Sequence, residues 1–404
     1  MDKIAVTDRL YYRDSFLREF DAQVISCEPD GERWRVILDR TAFYPTSGGQ
    51  PHDTGALGEA KVIEVLDDET ENIIHFTDRA VSSGPVHGHI NWERRFDHIQ
   101  QHTGQHLLSA AFIELFKMQT VSFHLGREIS TIDLAAPALD QRQLEAAERR
   151  TNEIIFDDRP VNILFGTAQE LAAAGIRKQV DRDGILRAIE IEGFDRQPCG
   201  GTHVSRTGQI GMILLRKLEK IKNNWRVEFV CGHRALRAAR SDGGLLNDAA
   251  RQLSCGPAEV PAMVARALED RQTGHRARQR LTEELAEVQA LMLLATEGQA
   301  GKSGQPGVVS KVLEEPDASY LRMLATKIVA QPAVRAILAT RGGHVIFAQS
   351  KGLDGDMNAL LRDCLSTAGG KGGGTRDFAQ GSLPVSSGVE SVLRRALETL
   401  ERRA

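Results

Sequence analysis

The first 90 or so residues alternate apolar and polar positions in short runs, as in Trp34-Arg35-Val36-Ile37-Leu38 and Ala60-Lys61-Val62-Ile63-Glu64-Val65. A period of two marks half-buried strands, and Gly48-Gly49, Pro51, Gly55 and Gly58 punctuate them as turns. A small β-barrel or sandwich is the expected outcome. Beyond Arg94 the period changes. Apolar residues at Leu107, Leu108, Ala111, Phe112, Leu115 and Phe116 predict a helix over 97–117, and a second is expected over 140–157. Strand-like runs at 161–165, 186–191, 212–218 and 225–230 make this middle region α+β. Residues 241–296 carry almost no strand signal. There Leu281, Leu285, Val288 and Met292 recur at steps of four and three, the a/d seam of a coiled coil, and Gly274 interrupts them, which predicts a helical hairpin or a kinked arm. A Gly/Ser/Pro-rich stretch at 298–307 marks a boundary. After it, helices at 319–330, 357–368 and 389–402 alternate with strands at 334–340 and 344–349, a small α/β domain.

Composition narrows the class. A chain of 404 residues exceeds one ordinary core, and 41% hydrophobic with 26% charged residues is usual for a globular protein. No run approaches the roughly 20 apolar residues of a membrane span, and the charged start MDKIAVTDRLYYRD lacks the apolar segment of a signal peptide. Five scattered cysteines (Cys27, Cys199, Cys231, Cys255 and Cys364) argue for free thiols in a reducing cytoplasm. The net charge of −4 is not that of a global nucleic-acid binder, so any such ligand has to be met by local patches. One lies between Val204 and Arg240, where nine Lys or Arg, among them Arg216, Lys217, Lys220 and Lys222, face only Glu219 and Glu228. Alone, it reads equally as a solvated face.

The sharpest chemical signal is a pair of pairs. His102-Thr103-Gly104-Gln105-His106 lies in a predicted helix, where an i, i+4 spacing puts both imidazoles on one face. Far downstream, Cys199-Gly200-Gly201-Thr202-His203 offers a thiolate and an imidazole on a glycine-containing turn. Three nitrogens and one sulfur suit a tetrahedral Zn²⁺, one per chain. Either half alone is more often unrelated surface histidines or core packing; together they support each other. The acidic residue of a zinc-protease helix is replaced by Thr103, so that helix supplies no general base.

Two further segments stand out. Residues 41–55, TAFYPTSGGQPHDTG, gather aromatics, hydroxyls, paired glycines and an amide in one turn-rich stretch. It reads either as a capped β-turn or as the wall of a substrate pocket. Lys371 sits among Gly369, Gly370, Gly372, Gly373 and Gly374, a loop whose amides and ammonium suit phosphate, although the Walker A order is absent.

Taken in order, TAFYPTSGGQPHDTG, the histidines 102 and 106, CGGTH at 199–203, and GGKGGG followed by DFAQG resemble the editing half of alanyl-tRNA synthetase and its free-standing homologues, the AlaX proteins, in their long form. The resemblance covers essentially the whole chain, and the start around Ile4-Ala5-Val6 looks like that of a free-standing member. It implies a β-barrel at 1–90, a zinc-bearing α+β editing core at 91–240, a coiled-coil-like helical arm at 241–300 and a small α/β DHHA1-type domain at 301–404. The implied reaction is hydrolysis of the ester joining serine, or glycine, to mischarged alanine tRNA. Thr41 would bond the serine hydroxyl, with Gln50 and then His52 as further polar contributors. The metal ligands would be His102, His106, Cys199 and His203. Arg216, Lys217, Lys220, Lys222 and Lys371 become expected tRNA contacts, and a homodimer through the C-terminal region is the alternative use of the glycine-rich loop. Two competing functions are a DHHA1-associated phosphoesterase, for which the chain lacks an Asp-His-His core, and a zinc-stabilised RNA-binding protein without turnover.

Overall fold

The structure is a computed structural model and describes residues 6–68, 72–177, 184–297, 305–314, 317–384 and 388–402. The chain divides into two compact units, residues 1–248 and 249–404.

The first unit opens with β1 (Asp8–Arg9), β2 (Glu19–Asp30), β3 (Arg33–Leu38), β4 (Arg40–Thr41), β5 (Gly55–Leu57), β6 (Ala60–Asp67), β7 (Ile73–Thr77) and β8 (Gly84–Ile90). Six of them close a barrel in the order β2-β3-β7-β6-β5-β8, while β1 and β4 form a short parallel pair that places Arg9 opposite Thr41. The alternation read from the sequence fills the barrel: Phe20, Val36, Leu38, Leu57, Val62, Val65, Ile73 and Ile90 all point inward.

The barrel leads into α1 (Trp92–Phe116), capped by the Asn91 side chain on the Arg94 N–H and ended by Lys117 in the left-handed conformation. Then come β9 (Gln119–Leu125), β10 (Ser130–Ala135), α2 (Gln141–Phe156), β11 (Val161–Gly166), α3 (Ala168–Ala173), β12 (Leu186–Ile191), β13 (Asp195–Pro198), β14 (Ile213–Ile221), β15 (Asn224–Cys231) and α4 (Gly232–Gln252). They build two antiparallel sheets, β14-β15-β10-β9 and β11-β12-β13. Ile99, Leu107, Leu108 and Phe112 of α1 enter a common core with Ile132, Ile154, Ile189, Val227 and Phe229. α1 also buries polar side chains, Gln101, His102, Gln105 and His106.

The second unit holds α5 (Val260–Thr296), β16 (Gly307–Leu313), α6 (Ala318–Val329), β17 (Val334–Thr340), β18 (His344–Gln349), α7 (Met357–Ser366), β19 (Lys371–Gly374), β20 (Phe378–Ser382) and α8 (Val389–Arg402). Its sheet runs β16-β17-β18-β20-β19. Alternate residues of β17 face opposite cores: Ala336 and Leu338 meet α5 and α6, whereas Ile337 and Ala339 meet α7 and α8. Among the described residues no helix is long and apolar enough to cross a membrane.

Two expectations need correction, at Gly274 and at Lys371. The helix through Gly274 is unbroken; the interruption falls at Ser254–Gly256, where Ser254 has φ of 52°. The apolar seam read at Leu281, Leu285, Val288 and Met292 is exposed, and the face that packs carries Ala286, Ala290 and Leu293. Small alanines let helices approach closely, which a pattern weighted toward large residues overlooks. The glycine-rich segment at Lys371 is not a loop but strand β19, paired with β20. A Cβ at Gly372 would lie 2.8 Å from Leu365 Cδ1, and one at Gly374 only 2.2 Å from the Phe378 carbonyl, so these glycines serve close packing. Residues 298–304 of the expected linker lie outside the described residues.

Candidate metal centre

Two turns of α1 and one loop make the centre. His102 and His106 stand one helical turn apart, and β13 delivers the loop that carries Cys199 and His203 to the same face. The ligand atoms of all four lie within 4.8 Å of one another. Cys199 Sγ is 3.4 Å from His102 Nε2 and 3.2 Å from His203 Nε2. Burial pulls all three imidazoles down, His102 to about 3, so each is neutral near pH 7. The Cys199 thiol is pushed up by burial, against which the Gly201 N–H and the Arg187 guanidinium act.

Hydrogen bonds behind the ligands fix which ring nitrogen faces inward. Gln50 Oε1 lies 2.8 Å from His102 Nδ1 and also accepts the Thr202 N–H, while Gln50 Nε2 donates to Thr202 Oγ1 at 2.8 Å. Gln50 Oε1 can only accept, so His102 carries its proton on Nδ1 and turns the Nε2 lone pair inward. Thr103 does the same for His203. Its hydroxyl donates to the Ile99 carbonyl at 2.9 Å, so it must accept from His203 Nδ1 at 3.2 Å. The Gln197 amide nitrogen reaches the His106 ring, 3.0 Å from Nδ1 and 2.9 Å from Nε2. Four convergent donors in one site, with the tautomers of His102 and His203 preset, fit a metal ion. A glycine is needed at one place: a Cβ on Gly201 would lie 2.1 Å from His102 Cε1.

Arg187 staples the loop, donating to the carbonyls of Cys199 at 2.6 Å, Gly201 at 2.9 Å and Tyr12 at 2.9 Å. The sequence reading passed over it, although in the two-residue period of β12 it shares a face with the buried Ile189 and Ile191. Thr103, Gln197 and Thr202 were passed over too, and nothing in their spacing marks them.

The other expected site residues fall elsewhere. Thr41 is fully buried; its hydroxyl lies 2.8 Å from His75 Nε2 and accepts the Phe43 N–H. His75 Nδ1 faces the Val36 carbonyl at 3.2 Å, so Nδ1 holds the proton, Nε2 accepts, and Thr41 donates. His52 uses both ring nitrogens, on Thr46 Oγ1 and the Ile63 carbonyl, and ties down its own loop. Gln50 alone of that segment's polar candidates touches the ligand set. On β14, Arg216 is paired with Asp242 and Lys217 with Glu219, while the Lys220 ammonium lies over the Trp225 ring and Lys222 occupies the turn. Lys371 is exposed on β19 in the second unit.

Residues 186–228 match the family described as threonyl and alanyl tRNA synthetase second additional domain. The alanine–tRNA ligase of Pyrococcus furiosus is 30% identical over 93% of this chain, which spans 42% of that ligase. The alanyl-tRNA editing protein Aarsd1 of Bos taurus is 35% identical over 60% of the chain and 59% of its own length. The alanyl-tRNA editing protein AlaX-L of Pyrococcus horikoshii is 32% identical over 98% of both chains. With such identity end to end, the chain belongs to the family of AlaX alanyl-tRNA editing proteins.

Proposed function

We propose that the protein is a cytoplasmic trans-editing hydrolase that cleaves the ester joining a wrong amino acid, chiefly serine, to alanine tRNA, and that His102, His106, Cys199 and His203 hold one Zn²⁺. The observation that carries this reading is the buried cluster with its tautomers set by Gln50 and Thr103, in a chain of this family. Three imidazoles and a thiolate favour zinc over the harder ions. Bound there, zinc supplies positive charge and Lewis acidity in a site shielded from bulk water.

The protein's own groups then hold and select. Gln50 and Thr103 keep the imidazoles oriented, and Arg187 fixes the loop backbone beside the thiolate. Thr41 gives its proton to His75 and one lone pair to the Phe43 N–H, which leaves one lone pair to accept a bond from a substrate hydroxyl. A site built around such a bond rejects an analogue without the hydroxyl by roughly 10⁴-fold, which would spare correctly charged alanyl-tRNA. Lys220 and Lys222, with Lys371 on the second unit, serve as backbone contacts for the tRNA body; Arg216 and Lys217 join them by exchanging their carboxylate partners. In this reading residues 1–90 and 91–240 form the barrel and the editing core, 241–300 the arm and 301–404 the DHHA1-type domain, whose neighbourhood with the exposed stripe of α5 is where a homodimer would form.

The direct test follows labelled serine released from Ser-tRNA(Ala), with Ala-tRNA(Ala) alongside. Serine release with alanine spared supports the reading. Zinc-loaded protein that binds the mischarged tRNA without turnover sinks it.

A further inference from the structure

A cleft of about 1080 Å³ opens at the start of α1, lined by Trp92, Arg94, Phe96 and His98 of that helix, Arg127 of the β9–β10 turn and Arg237 of α4. This volume is just above the roughly 300–1,000 Å³ of small-molecule sites. Its charge does not cancel. Arg234 is tied to Asp97 at 2.6 Å and to the Gly126 carbonyl, and Arg94 donates to the His52 carbonyl. Arg127 and Arg237 are exposed and have no acidic partner among the described residues. Glu93 is the carboxylate left on the wall.

The cleft also holds a buried polar atom without a partner. His98 is only 3% exposed, and its Nδ1 makes no hydrogen bond. Burial, helped by Arg94 and Arg234, takes its pKa down to about 3, so the ring is neutral, one nitrogen a donor and the other an acceptor. Beside it Trp92 and Phe96 stack with ring centroids 5.4 Å apart. Free guanidinium groups, aromatic rings and a neutral donor–acceptor in one open groove are the chemistry that meets a single-stranded nucleotide.

Position gives the nucleotide its place. Arg94, His98, His102 and His106 follow one another at four-residue steps along one face of α1. Each step advances about 6 Å, so the cleft begins about one helical turn from the first metal ligand. This inference rests on the editing reading above. We propose that the cleft binds the nucleotide preceding the esterified terminal adenosine, with Arg127 and Arg237 on its phosphates, Trp92 and Phe96 beside its base, and His98 bonded to a polar edge of the base or ribose.

The test compares wild type with Arg127→Ala/Arg237→Ala, both positions being exposed, on two substrates: a serine-charged minihelix of alanine tRNA, and 3′-O-seryl-adenosine, which ends at the terminal nucleoside. On the minihelix KM should rise by about tenfold or more with kcat nearly unchanged, and the log–log salt slope should shrink by about 1.4, at about 0.7 per single-strand phosphate contact. Hydrolysis of seryl-adenosine and zinc content should not change. Unaltered KM and salt slope overturn the proposal, and so does an equal loss on both substrates. Binding of the uncharged minihelix, read by fluorescence anisotropy, should weaken by about tenfold in the variant. If wild type hydrolyses neither substrate, the editing reading falls, while the binding measurement still decides the cleft.

Discussion

Gln50 Oε1 stands 2.8 Å from His102 Nδ1, and the same oxygen takes the N–H of Thr202. One amide from the 41–55 segment therefore braces a ligand on α1 and the loop that carries two others. Replacement by leucine removes the acceptor and strands two buried donors. Gln50→Leu should weaken metal binding by about 10–100-fold, measured by competition with a chromophoric chelator. An affinity equal to wild type would show that the bracing is not needed.

Gly200 and Gly201 are neighbours with different obligations. A Cβ at Gly200 meets Tyr12 Oη at an ordinary 3.5 Å, whereas one at Gly201 would intrude to 2.1 Å from His102. Gly201→Ala should lower metal content and deacylation together by about tenfold or more. Gly200→Ala should keep both, as read by elemental analysis and single-turnover kinetics.

Thr41 tests the selection of substrate. Thr41→Val leaves His75 Nε2 and the Phe43 N–H without their partner, at a cost of roughly 1–3 kcal/mol in unfolding free energy. It should also narrow the preference for seryl- over alanyl-tRNA, while Thr41→Ser restores both. A valine variant that is less stable yet discriminates as wild type does would leave Thr41 as a barrel residue only.

His75 makes stability depend on pH. Fully buried, it titrates at about 4 in the fold against 6.5 when unfolded. Above pH 6.5 the contribution is complete. As the pH falls toward 4 the unfolded chain takes up a proton that the folded one refuses, and roughly 3 kcal/mol is lost. Denaturant titrations at pH 7 and pH 4.5 should show a smaller difference for His75→Gln than for wild type.

Arg95 and Asp53 are both fully buried, joined at 3.0 Å through Nε, and Arg95 also donates to the carbonyls of Ser15 and Ala42. The pair fastens α1 to the segment that bears Thr41 and Gln50. Asp53→Asn leaves a buried guanidinium charge uncompensated and should cost roughly 3–5 kcal/mol, seen as a lower urea midpoint.

Much of this architecture is written locally in the chain. The period of two in Ala60–Asp67 and Arg33–Leu38 and the helical spacing behind His102 and His106 depend on nearby residues, so they could be read. β9 and β10 carry the same period of two, in Val121-Ser122-Phe123-His124-Leu125 and Thr131-Ile132-Asp133-Leu134, but over runs short enough to pass for a loop. β13 has no alternation and is a strand only through its pairing with β12. The cluster of His102, His106, Cys199 and His203 showed itself because His and Cys are rare and their spacing carries chemistry. The groups that orient the ligands did not: Gln50 meets Thr202 across 152 positions, and Thr103 resembles any helical threonine. Lys371 misled for a related reason, since glycines that permit close strand and helix contact look like glycines that permit freedom.

The two halves of the metal centre lie far apart along the chain, His102 and Cys199 by 97 positions. During synthesis α1 emerges long before β13, so a growing polypeptide shows two imidazoles with no thiolate to oppose them. A chain cut short before Cys199 keeps half a site. On the reading proposed here, uptake of an ion would follow the docking of the β12–β13 hairpin against α1, and loss of the ion would report that the hairpin has come away.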